Sequence, residues 1–467
     1  MKLAKVIPIF KSKDPHNFSN YRPISLLPTF SKILEKIVHK RLYKYLLLHD
    51  LLCLSQYGFQ RHLNTEQAIL EFQDRIVKYM SAKKWCSSIF LDLSKAFDCL
   101  DHNVLFSKLR NLGIRGIPLS WFKSYLSNRA QFVDFNGINS NKKKITCGVP
   151  QGSILGPLLF LVYINDIVHT LDNCNSILFA DDTTLLFADT DFDNLVTTMN
   201  QNIDKVYKWL CLNKLSLNID KTNYVIFHDP RKKFPSKSCV KIDNREIANT
   251  TNTKFLGVYI DENMSWKTHC NIIANKCAKT LAILHRLKHY LPQHTLATIY
   301  HSLFVSHISY GISAFGNINS KELKRLKILQ KKAIRVITNS KYNSHTGYLF
   351  KRTENLTLHD LFRQSCCKLY QKSKMGLLKP YFSNELTTNS MVHSYETRQA
   401  NDIHQRNIQT PIQSQLINSK VFTSWNKLPD SLKTKNFHSV KSLSNSLKKH
   451  YLSQYSVTCP IPNCYNC

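Results

Sequence analysis

Apolar and polar positions alternate along this chain in two distinct rhythms. Over residues 31–48 the rhythm is helical: Ser31 can cap a helix in which Ile33, Leu34, Ile37, Val38 and Leu42 recur at helical spacing. Residues 1–30 before it read as extended, because Pro8, Pro15, Pro23 and Pro28 break any helix. Trp85–Leu93 is strand-like and carries Asp92 near its end. Asp101 then caps a helix that closes before Gly113, and a second helix around Leu119–Leu126 carries Phe122 and Tyr125. Ile145–Gly152 is a turn punctuated by Gly and Pro, followed by an apolar segment from Ile154 to Ile164. Asp193–Leu212 is helical through Leu195, Ile203, Val206 and Leu210, and Tyr224–Phe227 and Phe255–Ile260 read as short strands. From 266 to 345 the chain is mainly helical and basic, with an amphipathic helix over Lys321–Ile337. Beyond it only basic helices and breaks rich in Ser and Asn are visible, and no internal repeat occurs. The mixture of helices and hairpins up to residue 262 predicts an α+β fold rather than a regular βαβ array.

One stretch interrupts the apolar pattern. Residues 177–187 read Ile-Leu-Phe-Ala-Asp181-Asp182-Thr-Thr-Leu-Leu-Phe, a predicted hairpin with two adjacent carboxylates at or near its turn. Two like charges among core residues repel and lose hydration, so they need protonation, a basic partner or a bound cation. No Lys or Arg lies within the hairpin. A divalent metal is therefore the favoured counter-charge, with a solvated Asp-Asp turn as the competing reading.

Composition narrows the substrate. Among 467 residues, 64 Lys and Arg face 31 Asp and Glu, a formal charge of +33. Such a chain repels itself unless a polyanion is near, and nucleic acid is the expected partner. A membrane is not expected, since no apolar run reaches the ~18 residues that span a bilayer. The 14 cysteines are mostly scattered singly, which reads as reduced thiols and an intracellular setting. Only Cys459, Cys464 and Cys467 cluster, and without a suitably spaced His they make a weak zinc site.

Asp92, at a strand end far upstream of the hairpin, is the third acid. Three converging carboxylates make a site for two Mg²⁺ ions, with Mn²⁺ as an alternative. Two such ions about 3.5–4 Å apart stabilise the attacking and leaving oxygens of an in-line displacement. In a basic protein this points to phosphoryl transfer on nucleic acid.

The motifs then become specific. They are Lys-Val-Ile-Pro-Ile-Phe-Lys11, Asn20-Tyr-Arg22-Pro-Ile-Ser-Leu, Gln56-Tyr-Gly-Phe-Gln and Leu91-Asp-Leu-Ser-Lys-Ala-Phe-Asp98. They continue with Gly148-Val-Pro-Gln-Gly-Ser-Ile-Leu-Gly-Pro157, Phe179-Ala-Asp-Asp182, Leu215-Ser-Leu-Asn-Ile-Asp-Lys221-Thr and Phe255-Leu-Gly257. In this order the set resembles the reverse transcriptase of non-LTR (LINE-type) retrotransposons, closest to the jockey-like group. The segments Tyr310-Gly-Ile, Gln330-Lys-Lys-Ala-Ile-Arg335 and Trp425-Asn-Lys-Leu-Pro429 resemble later parts of these elements.

The resemblance implies a right-hand polymerase with fingers, a palm built on an antiparallel sheet and a helical thumb, followed by a mostly helical C-terminal region. The expected division is 1–262 for fingers and palm, 263–345 for the thumb-like region and 346–467 for a basic C-terminal region. It implies an RNA-directed DNA polymerase, a nucleotidyltransferase that extends a DNA primer with dNTPs on an RNA template during retrotransposition. Asp92 and Asp181 would bind both metals and Asp182 would support them. Lys11 and Arg22 would hold the triphosphate, as a point charge and a bidentate fork suit phosphate. Phe97 would lie under the sugar and exclude a 2′-hydroxyl. Gln151 and Gly152 would pack on the nascent base pair. Lys221 would protonate the leaving pyrophosphate. Phe255, Leu256 and Gly257 would form the primer grip. Without the motifs, Phe97 reads as a core ring and Lys11 as a solvated lysine, and Lys221 is as readily a surface lysine. Asp98 and Asp101 read as helix-start residues.

Family members usually carry an endonuclease and more fingers sequence upstream, so the sequence reads as a 5′-truncated copy or a cut gene model. The rival reading is an inactive remnant that only binds nucleic acid. A metal nuclease gives no account of Phe97, Gln151 or the fingers cations.

Overall fold

The structure is a computed structural model that describes residues 2–12, 14–232, 239–318, 321–393 and 399–455. Cys459, Cys464 and Cys467 lie outside the described residues. The chain is α+β and divides into two compact units, one of Met1–Arg61, Ser87–Tyr224 and Pro235–Asn249, the other of His62–Cys86, Val225–Phe234 and Thr250–Cys467.

Two of the sheets have five strands each. In one, Leu3–Phe10 pairs antiparallel with Tyr21–Leu26 and parallel with Arg129–Phe135. Pro8 and Pro23, which forbid a helix, are absorbed here in extended backbone opposite each other. The second sheet has the strand order Ala248–Asn249, Asn223–Phe227, Trp85–Leu91, Asp182–Asp189, Asn175–Phe179. Its last two strands form the expected acidic hairpin, closed by the pair Phe179 and Asp182.

The apolar segment after the Gly/Pro turn becomes the helix Gly156–Ile164, whose side chains from Leu158 to Ile164 are all buried. Each such apolar side chain contributes about 1.5–3 kcal/mol of burial, an upper estimate. The helix is apolar all round because protein surrounds it. Its neighbour His102–Asn111 starts where expected: the Asp101 carboxylate accepts from the amides of Asn103 and Val104 and satisfies two free donors of the first turn.

Three expectations are corrected. The first helix runs Thr29–Leu48 and is preceded by Pro28, so Ser31 lies inside it and donates to Glu35 at 3.3 Å instead of capping. Its buried positions are Ser31, Glu35, Leu42, Tyr43 and Leu46, whereas Ile33, Leu34 and Ile37 are about half exposed at 50, 47 and 48%. Glu35 explains the inversion. Its carboxylate accepts from Tyr125 Oη at 3.0 Å and from the Ile154 amide at 2.7 Å, and that bonded network claims the inward face. Second, Asp98 starts no helix; it accepts two hydrogen bonds from Gln151. Third, Phe255–Ile260 is not one strand. Asn252–Phe255 and Val258–Asp261 form a hairpin, with Leu256 and Gly257 at positive φ in its turn.

The second unit is mainly helical. It includes Lys267–Leu287, Lys321–Ile337, Leu358–Lys374, Ile417–Trp425 and Val440–Ser453. The basic Lys321–Ile337 helix buries Leu323, Leu326, Ala333, Ile334 and Ile337 and keeps Lys321 and Lys324 outward. This unit also contains a helix that the sequence reading passed over, Thr65–Ser81, capped by Asn64, which accepts from the Gln67 amide. No helix among the described residues is long and apolar enough to cross a membrane. Every cysteine among them is a free thiol.

Candidate active site

Asp92 directly follows the strand Trp85–Leu91, and Asp182 opens the neighbouring strand of the same sheet. Asp181 occupies the hairpin turn beside Ala180, whose φ is +57°. Chain positions far apart are thus delivered to one sheet end by strand adjacency. The carboxylates feel one another. Burial raises the Asp181 carboxyl above the usual range and the Asp92 charge adds to this, while Lys11 and Arg22 oppose it. Burial first, then repulsion from Asp181 and Asp92, pushes Asp182 up to about 6, although its surface is exposed.

Among the described residues no Lys or Arg lies within ion-pair distance of Asp181 or Asp182, whereas Asp92 has one partner, Lys221, at 3.4 Å. Local pairing brings Lys221 there. Ser216 and Leu217 pair with Ser94 and Leu93, the Asn218 amide donates to the Asp92 carbonyl at 2.8 Å, and the Thr222 hydroxyl receives the Asp92 amide at 3.5 Å. The ion pair is exposed on both sides and so adds little stability.

Lys11 and Arg22 sit on the hairpin Leu3–Leu26, both exposed and without ion-pair partners among the described residues. Their field reaches Asp181, and that of Lys11 also reaches Asp98. Phe97 is partly buried, stacked on Phe160 at 4.5 Å and edge-on to Phe59 at 6.2 Å. Fixed from behind by those rings, it keeps some exposed surface.

Gln151 and Gly152 lie in a loop held on several sides. The Gln151 side chain donates to Asp98 at 2.9 and 3.0 Å, and its carbonyl accepts from the Ser25 amide at 2.6 Å. Gly152 has φ +114°, and a Cβ there would stand 2.7 Å from the Ser25 carbonyl oxygen, so only glycine fits. Glu35 holds the next residues through the Ile154 amide. Burial raises the Asp98 carboxyl despite the Gln151 bond.

Phe255, Leu256 and Gly257 belong to the second unit. Phe255 is buried against Phe72 at 4.9 Å, and the Leu256 carbonyl accepts from Tyr310 Oη at 2.5 Å. Tyr310 also lies 3.1 Å from where a Gly257 Cβ would be.

The donor set fits a divalent cation: hard carboxylate oxygens, mutually repelling, two of them without basic partners. No group of three His, Cys, Asp or Glu among the described residues is arranged to hold a metal ion. The sequence reading missed Glu35 and Gln56. Glu35 hides in a helix, where spacing marks it as surface. Gln56 lies in a quoted motif, but its partners become visible only in three dimensions.

Adjacent strands thus bring Asp92, Asp181 and Asp182 to one sheet end, and the Leu3–Leu26 hairpin carries Lys11 and Arg22. Residues 11–260 match the family model for reverse transcriptase (RNA-dependent DNA polymerase), and the chain belongs to that family. It is similar to the probable RNA-directed DNA polymerase from transposon BS of Drosophila melanogaster, 26% identical over 377 residues that cover 78% of this chain and 41% of that protein. It is also similar to the RNA-directed DNA polymerase from the mobile element jockey of the same species, 28% identical over 358 residues, 74% of this chain and 38% of that protein. The chain spans about two fifths of the length of these curated relatives. A structure of apo telomerase from Candida tropicalis aligns with a TM-score of 0.44 at 14% identity, covering 77% of this chain and 62% of that one. Reverse transcriptases as a family use divalent metal ions.

Proposed function

We propose that this chain is an RNA-directed DNA polymerase that adds dNTPs to a primer on an RNA template. The observation that supports this is the placing of Asp92 and Asp181–Asp182 on neighbouring strands at one sheet end, with Asp181 under the field of Lys11 and Arg22. Asp92 and Asp181 would hold two Mg²⁺ ions, with Asp182 as the supporting acid. When bound, the ions activate the primer 3′-hydroxyl and neutralise charge on the transferring phosphoryl group.

The chain's own residues do the rest. Lys11 and Arg22 bind triphosphate oxygens, the first as a point charge and the second as a fork. Phe97, braced by Phe160, closes the space that a 2′-hydroxyl would need. Gln151, oriented by Asp98, and Gly152 present backbone to the new base pair. Lys221, paired with Asp92 at 3.4 Å, gives a proton to the departing pyrophosphate. Phe255, Leu256 and Gly257 form a stiff turn against which a primer strand is held. In domain terms, 1–262 supplies fingers and palm, 263–345 the thumb-like helices and 346–467 the basic C-terminal region.

Primer extension on an RNA template with Mg²⁺ tests this reading. Incorporation of dNTPs by the chain, lost in Asp181→Ala with RNA binding retained, is the expected result. A second reading, a remnant that only binds nucleic acid, draws on the acids not standing as a closed ligand group. It expects no incorporation and a salt-dependent affinity that is indifferent to Mg²⁺ and to Asp181.

A further inference from the structure

Apart from Phe59 against Phe97, the Gln56-Tyr-Gly-Phe-Gln motif has no part in the chemistry above, yet it lies against the acidic hairpin. Residues 55–57 run beside the outer strand: the Tyr57 amide donates to the Leu178 carbonyl at 2.7 Å, and the Leu178 amide to the Ser55 carbonyl at 3.0 Å. The Ser176 and Ser55 hydroxyls meet at 2.9 Å. Gly58 then passes so close that a Cβ would stand 2.3 Å from the Ala180 nitrogen, a contact that only glycine permits.

The Gln56 side chain is 2% exposed. Its Oε1 accepts from the Gly58 amide at 2.8 Å and from the Ala180 amide at 2.9 Å. Both partners are N–H donors, so the carboxamide must present its oxygen, and the orientation is set by chemistry. Its Nε2 is buried with no hydrogen-bond partner among the described residues. The site is therefore built for the carbonyl alone.

The bonded amide is the important one. The closing pair of the hairpin is Phe179 and Asp182, so Ala180 and Asp181 form the turn itself. Ala180 adopts φ +57°, a left-handed conformation that alanine disfavours. Asp181 is the next residue. A turn residue in a disfavoured conformation, beside a repelling acid pair, needs an external restraint, and the Gln56 carbonyl supplies it.

We infer that Gln56 is a positioning residue: through its carbonyl it holds the Ala180 amide and so fixes the turn that presents Asp181. It needs to be a neutral acceptor, since a carboxylate in its place would add another negative charge beside Asp181 and Asp182. The inference rests on the polymerase reading for its kinetic consequence but not for its structural one.

Two variants test it, Gln56→Met, which removes the acceptor at similar size, and Gln56→Glu, which keeps it. Hydrogen exchange at the Ala180 amide, read by mass spectrometry with fragmentation, is measured alongside the melting temperature and steady-state dNTP incorporation. Gln56→Met should speed Ala180 exchange about tenfold, leaving the Phe192–Leu212 helix unchanged. It should lower kcat by about 10²-fold with the KM for dNTP within about twofold. Gln56→Glu should retain Ala180 protection. Unchanged Ala180 exchange in Gln56→Met, or equal loss of protection in both variants, overturns the inference. A wild-type chain that protects Ala180 but incorporates no dNTP overturns the polymerase reading and leaves the Gln56 restraint standing.

Discussion

Asp74, in the second unit, is wholly buried and fully answered: Lys78 pairs with it at 2.8 Å, Tyr381 donates at 2.6 Å and the Ile417 amide at 2.8 Å. Asp181 and Asp182, in the first, stand side by side with no basic residue in ion-pair range among those described; burial raises both carboxyls, with Asp92 adding to each and Asp181 also to Asp182. The same residue type is thus used in two ways. Fixed donors neutralise Asp74, and its network ties the Thr65–Ser81 helix to Tyr381 and to the start of Ile417–Trp425. On the proposed reading the hairpin acids, unanswered among the described residues, would take a cation from outside. A carboxylate satisfied by its own chain builds structure; one left in want of a cation is poised for chemistry.

The contrast is broken most severely by removing one acid from each site. Asp181→Ala should lower dNTP incorporation at least about 10³-fold in primer extension, with the melting temperature unchanged or raised because a repulsion is gone. Asp74→Ala should do the reverse. It strands Tyr381 and the Ile417 amide without their acceptor and should cost about 3 kcal/mol in urea unfolding, since Lys78 retains Glu385 at 2.7 Å. An Asp74→Ala chain that stays as stable as wild type would remove the distinction.

Lys221→Met sharpens the comparison at the one hairpin-side acid that has a partner. Incorporation should fall about 10²-fold with little change in stability, as general-acid loss does and exposed ion-pair loss does not. Phe97→Val should then raise the incorporation of ribonucleotides relative to deoxynucleotides by about tenfold, measured as a ratio of kcat/KM.

The smallest effects are in pH dependence, and they run in opposite senses. The Asp182 carboxyl moves from 3.8 to about 6 on folding, so its contribution favours the fold below pH 3.8 and is lost as pH rises to about 6. Lys420 is wholly buried, donates to Gln73 at 2.7 Å and to the Ala314 carbonyl at 2.8 Å, and burial pushes its ammonium down from 10.5 to about 7. Its burden on the fold is full below pH 7 and is relieved as pH rises towards 10.5. Urea midpoints across pH should lose the acid-side slope in Asp182→Asn and the alkaline-side slope in Lys420→Met. A slope that survives its variant assigns it to another group.

Much of the first unit was legible from short-range pattern. The acidic hairpin, the strand that ends before Asp92, the Asp101 cap and the apolar Gly156–Ile164 segment all depend on residues within a few positions of one another. The failures share a cause. Ile33, Leu34 and Ile37 have core spacing but lie outward, because Glu35 draws the other face of its helix to Tyr125 and Ile154. Asp98 has the look of a helix start and is instead the anchor of Gln151. The hairpin turn at Leu256 and Gly257 was masked by an apolar run that reads equally well as one strand.

By itself, then, the sequence determined where acids, cations and apolar runs occur and which local elements they form, because caps, turns and periodicity act over a few residues. It also determined the family, through an ordered set of motifs. Tertiary structure alone decided which acid meets which. Asp92 reaches the hairpin through strand adjacency, Lys221 reaches Asp92 through a two-residue pairing, and Gln56 reaches Ala180 beside a single bridge to Leu178. Those partners are distant along the chain, and nothing in local spacing encodes a hydrogen bond whose two ends are set by the register of a sheet.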